Sequence, residues 1–473
     1  MPLTPQDRHV LSRFSYGVTP ALVQEANGNA NQWFLRQAQP AGIADAFAGG
    51  LIKWFPRMVA SPGTLYQRSV NGGYLGWEVC GDFQRWTLLR RMFSNRQLHE
   101  VMTDFWSNLL HVAAPHDTSW PWRLRYDATI RAHALGSFAG LLQAAITHPA
   151  MACYLDNALS TRETLNENLG RELLELHTVG IDGGYTETDV RQSAMMLTGY
   201  RVEVRGSYRA WYSVADHQGG PLRIMGFNDT NADPDGRAAT RRYLSYLAHH
   251  PATARRIAHR LCVQFVSDEP SAALVSVVAK AYLDNDTAVV PTLQALIATT
   301  EFKSSMGAKV RTPSDDAVAT YRAVGVTVQA PTSNESFANA LIFQSQSMGQ
   351  RVFDWPTPDG FPMLNESWVG VSRMLNSFQT HHLQAGAYYP SSQATHRSPA
   401  SWLPALPARF DAVVDHVCRK LLARPASPDL QRAASIRLQI SAGERIGSPA
   451  DLPAYKITRL LSTLLNSPQH MTR

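Results

Sequence analysis

The chain has 473 residues, 44% of them hydrophobic, and a formal net charge of +6 from 44 Lys+Arg against 38 Asp+Glu. That is enough apolar material for a substantial core in one large or a few ordinary domains, and no run of about 18 apolar residues exists to span a membrane. The positive excess is scattered arginine with no basic run interleaved with aromatics, so nothing points to nucleic acid and little to an acidic partner.

In chain order, the opening MPLTPQDRHVLSRFSYGVTP (1–20) lacks an apolar core of signal-peptide length, a twin arginine and a cleavage site, which places the start of the chain in the cytoplasm. Three-to-four apolar spacing predicts helices over 96–110, 126–146, 253–266 and 271–283. The best strand signal is Tyr200 to Val204 with Trp211 to Val214, a short hairpin around Gly206. Prolines at 251, 291, 313 and 331 end one helix and start the next. The segment DWPTPDGFPMLNESW (354–368) is too apolar to float and reads as an ordered aromatic loop. A Ser/Pro/Ala-rich loop or linker follows over 386–406, then a helical C-terminal segment, 407–473, packed on the body. The expected fold is therefore mainly α, a large helical domain (1–385) with at most a short β-hairpin and long ordered loops. Cys80, Cys153, Cys262 and Cys418 lie far apart in apolar surroundings without CxxC spacing and read as buried free thiols.

The stretch NENLGRELLELHTVGIDGGYTETDVRQSAMMLTGY (166–200) carries the densest polar pattern. On a regular helix Glu167, Arg171 and Glu175 stand at i, i+4 and i+8, flanked by Asn168 and Glu172, while Leu169, Leu173 and Leu176 occupy the other side with His177 at its edge. One reading is a solvated face with two ordinary i,i+4 ion pairs. The other notes that the face has no lysine and more carboxylate than one arginine neutralises, so one carboxyl tends to keep a proton, as a general acid must. Gly180, Gly183 and Gly184 then permit positive-φ turns, and Thr186 with Asp189 forms a capping-box variant that starts a helix from Glu187 to about Leu197.

Paired carboxylates suit hydrolysis of a glycosidic bond. In that reading Glu172 is the protonated acid and Asp156 the base or nucleophile, with Glu175 and Glu167 as further carboxylates and Arg171 as orienter. Asn168, Asn157, His111, His133, His177 and Asp359 are candidate substrate contacts, and Trp106, Trp355 and Trp368 offer flat faces for sugar rings. The competing reading is a structural ion-pair network. A divalent metal drawn from His111, His133, Asp156, Glu172 and His177 would be assembled from distant segments, since there is no HExxH and no ligand-type spacing; no cofactor is predicted. No GxSxG elbow is present. The adjacent pairs His249-His250 and His381-His382 point to different helix faces, and Lys309 with Arg311 before Thr312-Pro313 is either a basic turn or an anion contact at a helix start.

Nine blocks in order, among them HVLSRFSYGVTP (9–20), MTDFWSNLLHV (102–112), PAMACYLDN (149–157), NENLGRELLELHTVG (166–180), KVRTPSDD (309–316) and GQRVFDWPTPDGFPMLNESW (349–368), resemble the domain-of-unknown-function 1800 family of bacterial proteins over residues 8 to 385. The resemblance implies that members are commonly exported, and that their genes often neighbour one for a twin-arginine-exported, sulfatase-like protein of the domain-of-unknown-function 1501 family. Leu109 stands where the family often has histidine, leaving His111 as the nearby imidazole. Two functions from different classes follow as expectations: an envelope-associated glycosidase-like hydrolase, and a non-catalytic helical partner co-exported with the sulfatase-like protein.

Overall fold

Serine or threonine followed by proline starts five helices, Pro5–Arg13, Pro20–Ala26, Pro62–Val70, Pro313–Val324 and Pro428–Leu438, and in each the hydroxyl accepts the N–H three residues on. The hydroxyl satisfies an orphan donor while the proline presets φ, so these boundaries are written locally. The computed structural model describes residues 3–333, 336–390 and 392–473. Across these residues run 24 α-helices and four two-stranded antiparallel sheets, and the chain is mainly α. No helix among them is long and apolar enough to cross a membrane.

The predicted helices appear as Gln97–Leu109, Pro251–Phe265 and Ala272–Asp284. The segment expected as one helix over 126–146 is two, Arg123–His133 and Phe138–Ile146. Ser137 breaks it by capping the second helix and bridging to Ala288. The hairpin forms as Tyr200–Val202 against Ala210–Tyr212, with Tyr200 opposite Tyr212. Three further pairs, 222–224 with 227–229, 327–328 with 394–395 and 408–409 with 445–446, exceed the single hairpin expected. Strands of two or three residues are too short to show a period of two.

One helix sits at the centre. Pro313–Val324 is buried at every residue except Arg322, and it is covered by the helices Gly76–Phe93, Phe337–Ser347 and Val371–Ala385. Val371–Ala385 packs in turn on Ala454–Leu465. Trp402, inside the Ser/Pro/Ala-rich segment, is also buried. A helix enclosed on all sides is normally apolar. This one carries Asp315 and Asp316, 3% and 0% exposed, so both need partners from other elements.

Candidate functional site

The carboxylate helix is not regular. Asn168–Glu172 is α-helical, but Leu173–His177 is a π turn, a widened turn that recurs at functional positions. Thr178 closes it by donating its hydroxyl to the Leu173 carbonyl at 2.6 Å, and Gly180, at φ 88°, donates its N–H to the Leu174 carbonyl at 2.9 Å. The extra residue takes Glu175 out of the i, i+4, i+8 row, and neither of the two expected ion pairs forms among the described residues. Arg171 instead makes a bidentate pair with Glu187 of the next helix, at 2.9 and 2.6 Å. Glu167 lies 3.7 Å from Arg191, and Glu175 accepts the Tyr185 hydroxyl at 3.0 Å. The Thr186–Asp189 capping box starts Glu187–Met196 as expected.

With its arginine engaged elsewhere, Glu172 is half-buried among carboxylates. Burial first, then the charges of Glu175 and Asp359, raise its pKa against the opposing effect of Arg171. Asp359 comes from the aromatic loop, where its Oδ1 accepts the Trp355 indole N–H at 3.0 Å and the Thr357 hydroxyl. Tyr154 lies under the same charges: burial, then Asp359 and Glu172, push its phenol up to about 12. The loop itself is pinned from below. Asn108 accepts the Phe361 N–H at 2.7 Å and donates to the Phe361 carbonyl at 2.9 Å, and the His111 ring meets the Trp355 carbonyl at 3.0 Å.

Several expected residues lie elsewhere. Asp156 is exposed in left-handed backbone (φ 60°), and its charge acts on His116 and Cys153 rather than Glu172. Asn157 is buried, with its amide donating to the Leu197 carbonyl at 3.0 Å. Trp106, 1% exposed, gives its indole N–H to the Ala134 carbonyl, and Trp368, 6% exposed, gives its own to the Pro362 carbonyl. Both rings fill the core and present no face to a sugar; of the three tryptophans only Trp355 is partly open. His111 and His177 are buried and neutral, each held down to about 4 chiefly by burial. His133 only reaches back to the Thr129 carbonyl, and Asn168 has its N–H taken by the Asn166 side chain.

A second centre, missed in the sequence, lies on the central helix. Asp316, His381 and His470 bring one ligand atom each within 4.8 Å of one another. Asp316 Oδ1 faces His381 Nε2 at 3.0 Å and His470 Nε2 at 4.0 Å, while Oδ2 accepts from Arg373 at 3.2 Å and from the Ser377 hydroxyl. Burial alone would raise the Asp316 carboxyl, yet His381 and Arg373 hold it well below the usual range. His381 Nδ1 meets Asn466 Oδ1 at 2.8 Å, and His470 Nε2 meets the Thr320 hydroxyl at 2.8 Å. The donor types suit a divalent cation. Such an ion would have to displace the His381 proton and sit beside the Arg373 guanidinium. The three residues come from three distant segments, so no spacing in the sequence announces them.

A family model described as a protein of unknown function (DUF1800) matches residues 9–472. The match extends beyond the 8–385 span of the sequence blocks, which already held His381, and takes in His470. No curated protein and no solved structure matches the chain.

Proposed function

From the premise that this chain belongs to the DUF1800 family, whose description assigns no chemistry, we propose that it is a hydrolase using carboxylate acid/base catalysis, with Glu172 as the acid and Asp359 as its partner. The observation that carries this reading is the half-buried Glu172 carboxyl, raised by burial and by Glu175 and Asp359. A carboxyl raised by burial and by neighbouring carboxylates suits the acid role that such hydrolysis needs. Asp359 takes the place expected of Asp156. Trp355, partly exposed and joined to Asp359 by its indole N–H, supports a sugar ring as substrate and a glycosidic bond of a carbohydrate polymer as the target.

The test is a glycan screen with wild type, Glu172→Gln, Asp359→Asn and Asp156→Asn. Loss of roughly 10²- to 10⁴-fold is expected in the first two variants, the usual scale for an acid or base, with Asp156→Asn near wild type. Full activity in Glu172→Gln or Asp359→Asn would remove the proposal.

One observation favours the other class of function. Val371 and Leu375, one turn apart, are 77% and 62% exposed, and Val369, two residues before Val371, is exposed as well. An apolar strip of this kind marks partner surfaces, which supports a non-catalytic role beside the sulfatase-like protein. Tagged purification from the native host distinguishes the two: a stoichiometric sulfatase-like partner that is lost with Val371→Asp/Leu375→Asp supports the accessory reading, and a clean single chain counts against it.

A further inference from the structure

A cavity of about 600 Å³ opens between the first helix, the turn at 306–311, the end of the helix Phe410–Leu422 and the C-terminal residues. Its size is that of a small-molecule site. Four arginines line it, Arg8, Arg311, Arg424 and Arg473, and no aspartate or glutamate does. Arg473 is paired with Asp315 at 2.9 Å. The other three have no carboxylate partner among the described residues. Arg8 gives one N–H each from Nη1 and Nη2 to the carbonyls of Leu422 and Ala423, two of its five donors. Arg311, 4% exposed, donates Nε to the His470 carbonyl at 2.8 Å, while its buried Nη1 has no acceptor. Arg424, half-buried, makes no hydrogen bond or ion pair with any described residue, and its charge opposes that of Arg8. Like charges held together in a partly desolvated wall cost free energy that a bound anion would return. The rest of the wall is mixed, with Leu3, Val18 and Met306 apolar and Ser12, Gln469 and Thr472 polar.

We propose that this cavity binds a small amphiphilic anion, with a phosphate or carboxylate head on Arg424 and Arg8 and an apolar body against the apolar part of the wall, Leu3, Val18 and Met306. The site is separate from Glu172 and Asp359 and does not depend on their role. Planar guanidinium forks suit both head groups.

The experiment is calorimetric titration of the full chain with octyl phosphate, octanoate and octyltrimethylammonium, all below their micellar range. At least one anion should bind and the cation should not, and the anion that binds identifies the head group. Arg424→Ala should weaken binding at least tenfold and Arg424→Lys should restore part of it. Because Arg424 makes no hydrogen bond or ion pair with a described residue, both variants should stay folded, with melting temperatures near that of the wild type, and Glu172→Gln should bind as wild type does. Absence of anion binding, equal binding of the cation, or undiminished binding in Arg424→Ala would each overturn the proposal.

Discussion

Lowering the pH from 7.5 to 5 should cost the folded state several kcal/mol through three histidines it keeps neutral. His9, His111 and His177 are 3%, 1% and 0% exposed. Their rings meet the carbonyls of Phe302, Trp355 and Leu109 at 2.8, 3.0 and 3.0 Å. Each is held at about 4, mainly because burial penalises the cation, whereas an unfolded histidine titrates near 6.5. The folded pKa is the lower one, so between these values the unfolded chain binds more protons. The stabilisation is complete above about pH 6.5 and is lost as the pH falls toward 4. At pH 5 each residue costs about 2 kcal/mol relative to pH 7.5, and together about 6 kcal/mol, a large part of the 5–15 kcal/mol typical of a folded protein. Glu172, whose carboxyl is raised, acts in the opposite sense and offsets a little of this. Urea unfolding followed by tryptophan fluorescence at pH 7.5, 6 and 5 reads the effect. A transition midpoint unchanged across that range would show that these rings are protonated or solvated in the fold, and the argument would fail.

Asp316→Asn leaves Arg373 and His381 without their counter-charge and should cost about 3–5 kcal/mol; with an unfolding entropy of roughly 2.1 cal/mol/K per residue, a chain of 473 residues would then melt a few degrees lower by calorimetry. Gly360 stands at φ 74°, and a Cβ there would run into the Asn108 carbonyl oxygen, so Gly360→Ala should destabilise by about 1–3 kcal/mol and expose the 354–368 loop to limited proteolysis. All four cysteines are buried and free, with thiols raised to about 12 for Cys80, Cys153 and Cys262 and about 11 for Cys418, mainly by burial. They should ignore an aromatic disulfide reagent at pH 8 until denaturant is added, when four equivalents should react.

Much of the helical frame was legible because its signals are local. The Ser/Thr-Pro starts, the Thr186–Asp189 box and the apolar spacing of 97–109 each specify structure within a few residues. The 354–368 loop was legible as ordered because its aromatics had to be covered, but its anchors, Asn108 and His111, lie some 250 residues away in sequence. The carboxylate helix was read at the level of composition and misread in geometry, since one π turn separates Glu175 from the row that regular periodicity assigns it. Asp359 was visible only as a polar residue in an aromatic stretch, and nothing local says that it acts on Glu172. The Asp316–His381–His470 centre could not be read at all. His381 looked like half of an unremarkable pair, His470 like part of a tail, and only tertiary packing joins them to Asp316.

The way the last residues return to the central helix has a consequence for biogenesis. Thr472 bridges to Val310, Arg473 pairs with Asp315, and His470 stands beside Asp316 and Thr320. Until residues 468–473 have left the ribosome, the buried acidic side of Pro313–Val324 lacks part of its complement, although more than 140 residues have been made since that helix was translated. Earlier segments can collapse during synthesis, but the centre of the molecule closes only once residues 468–473 have emerged. A nascent chain stalled or cleaved before residue 468 would therefore present an open, unevenly charged core to chaperones and proteases, which makes the emergence of residues 468–473 the step on which burial of that core depends.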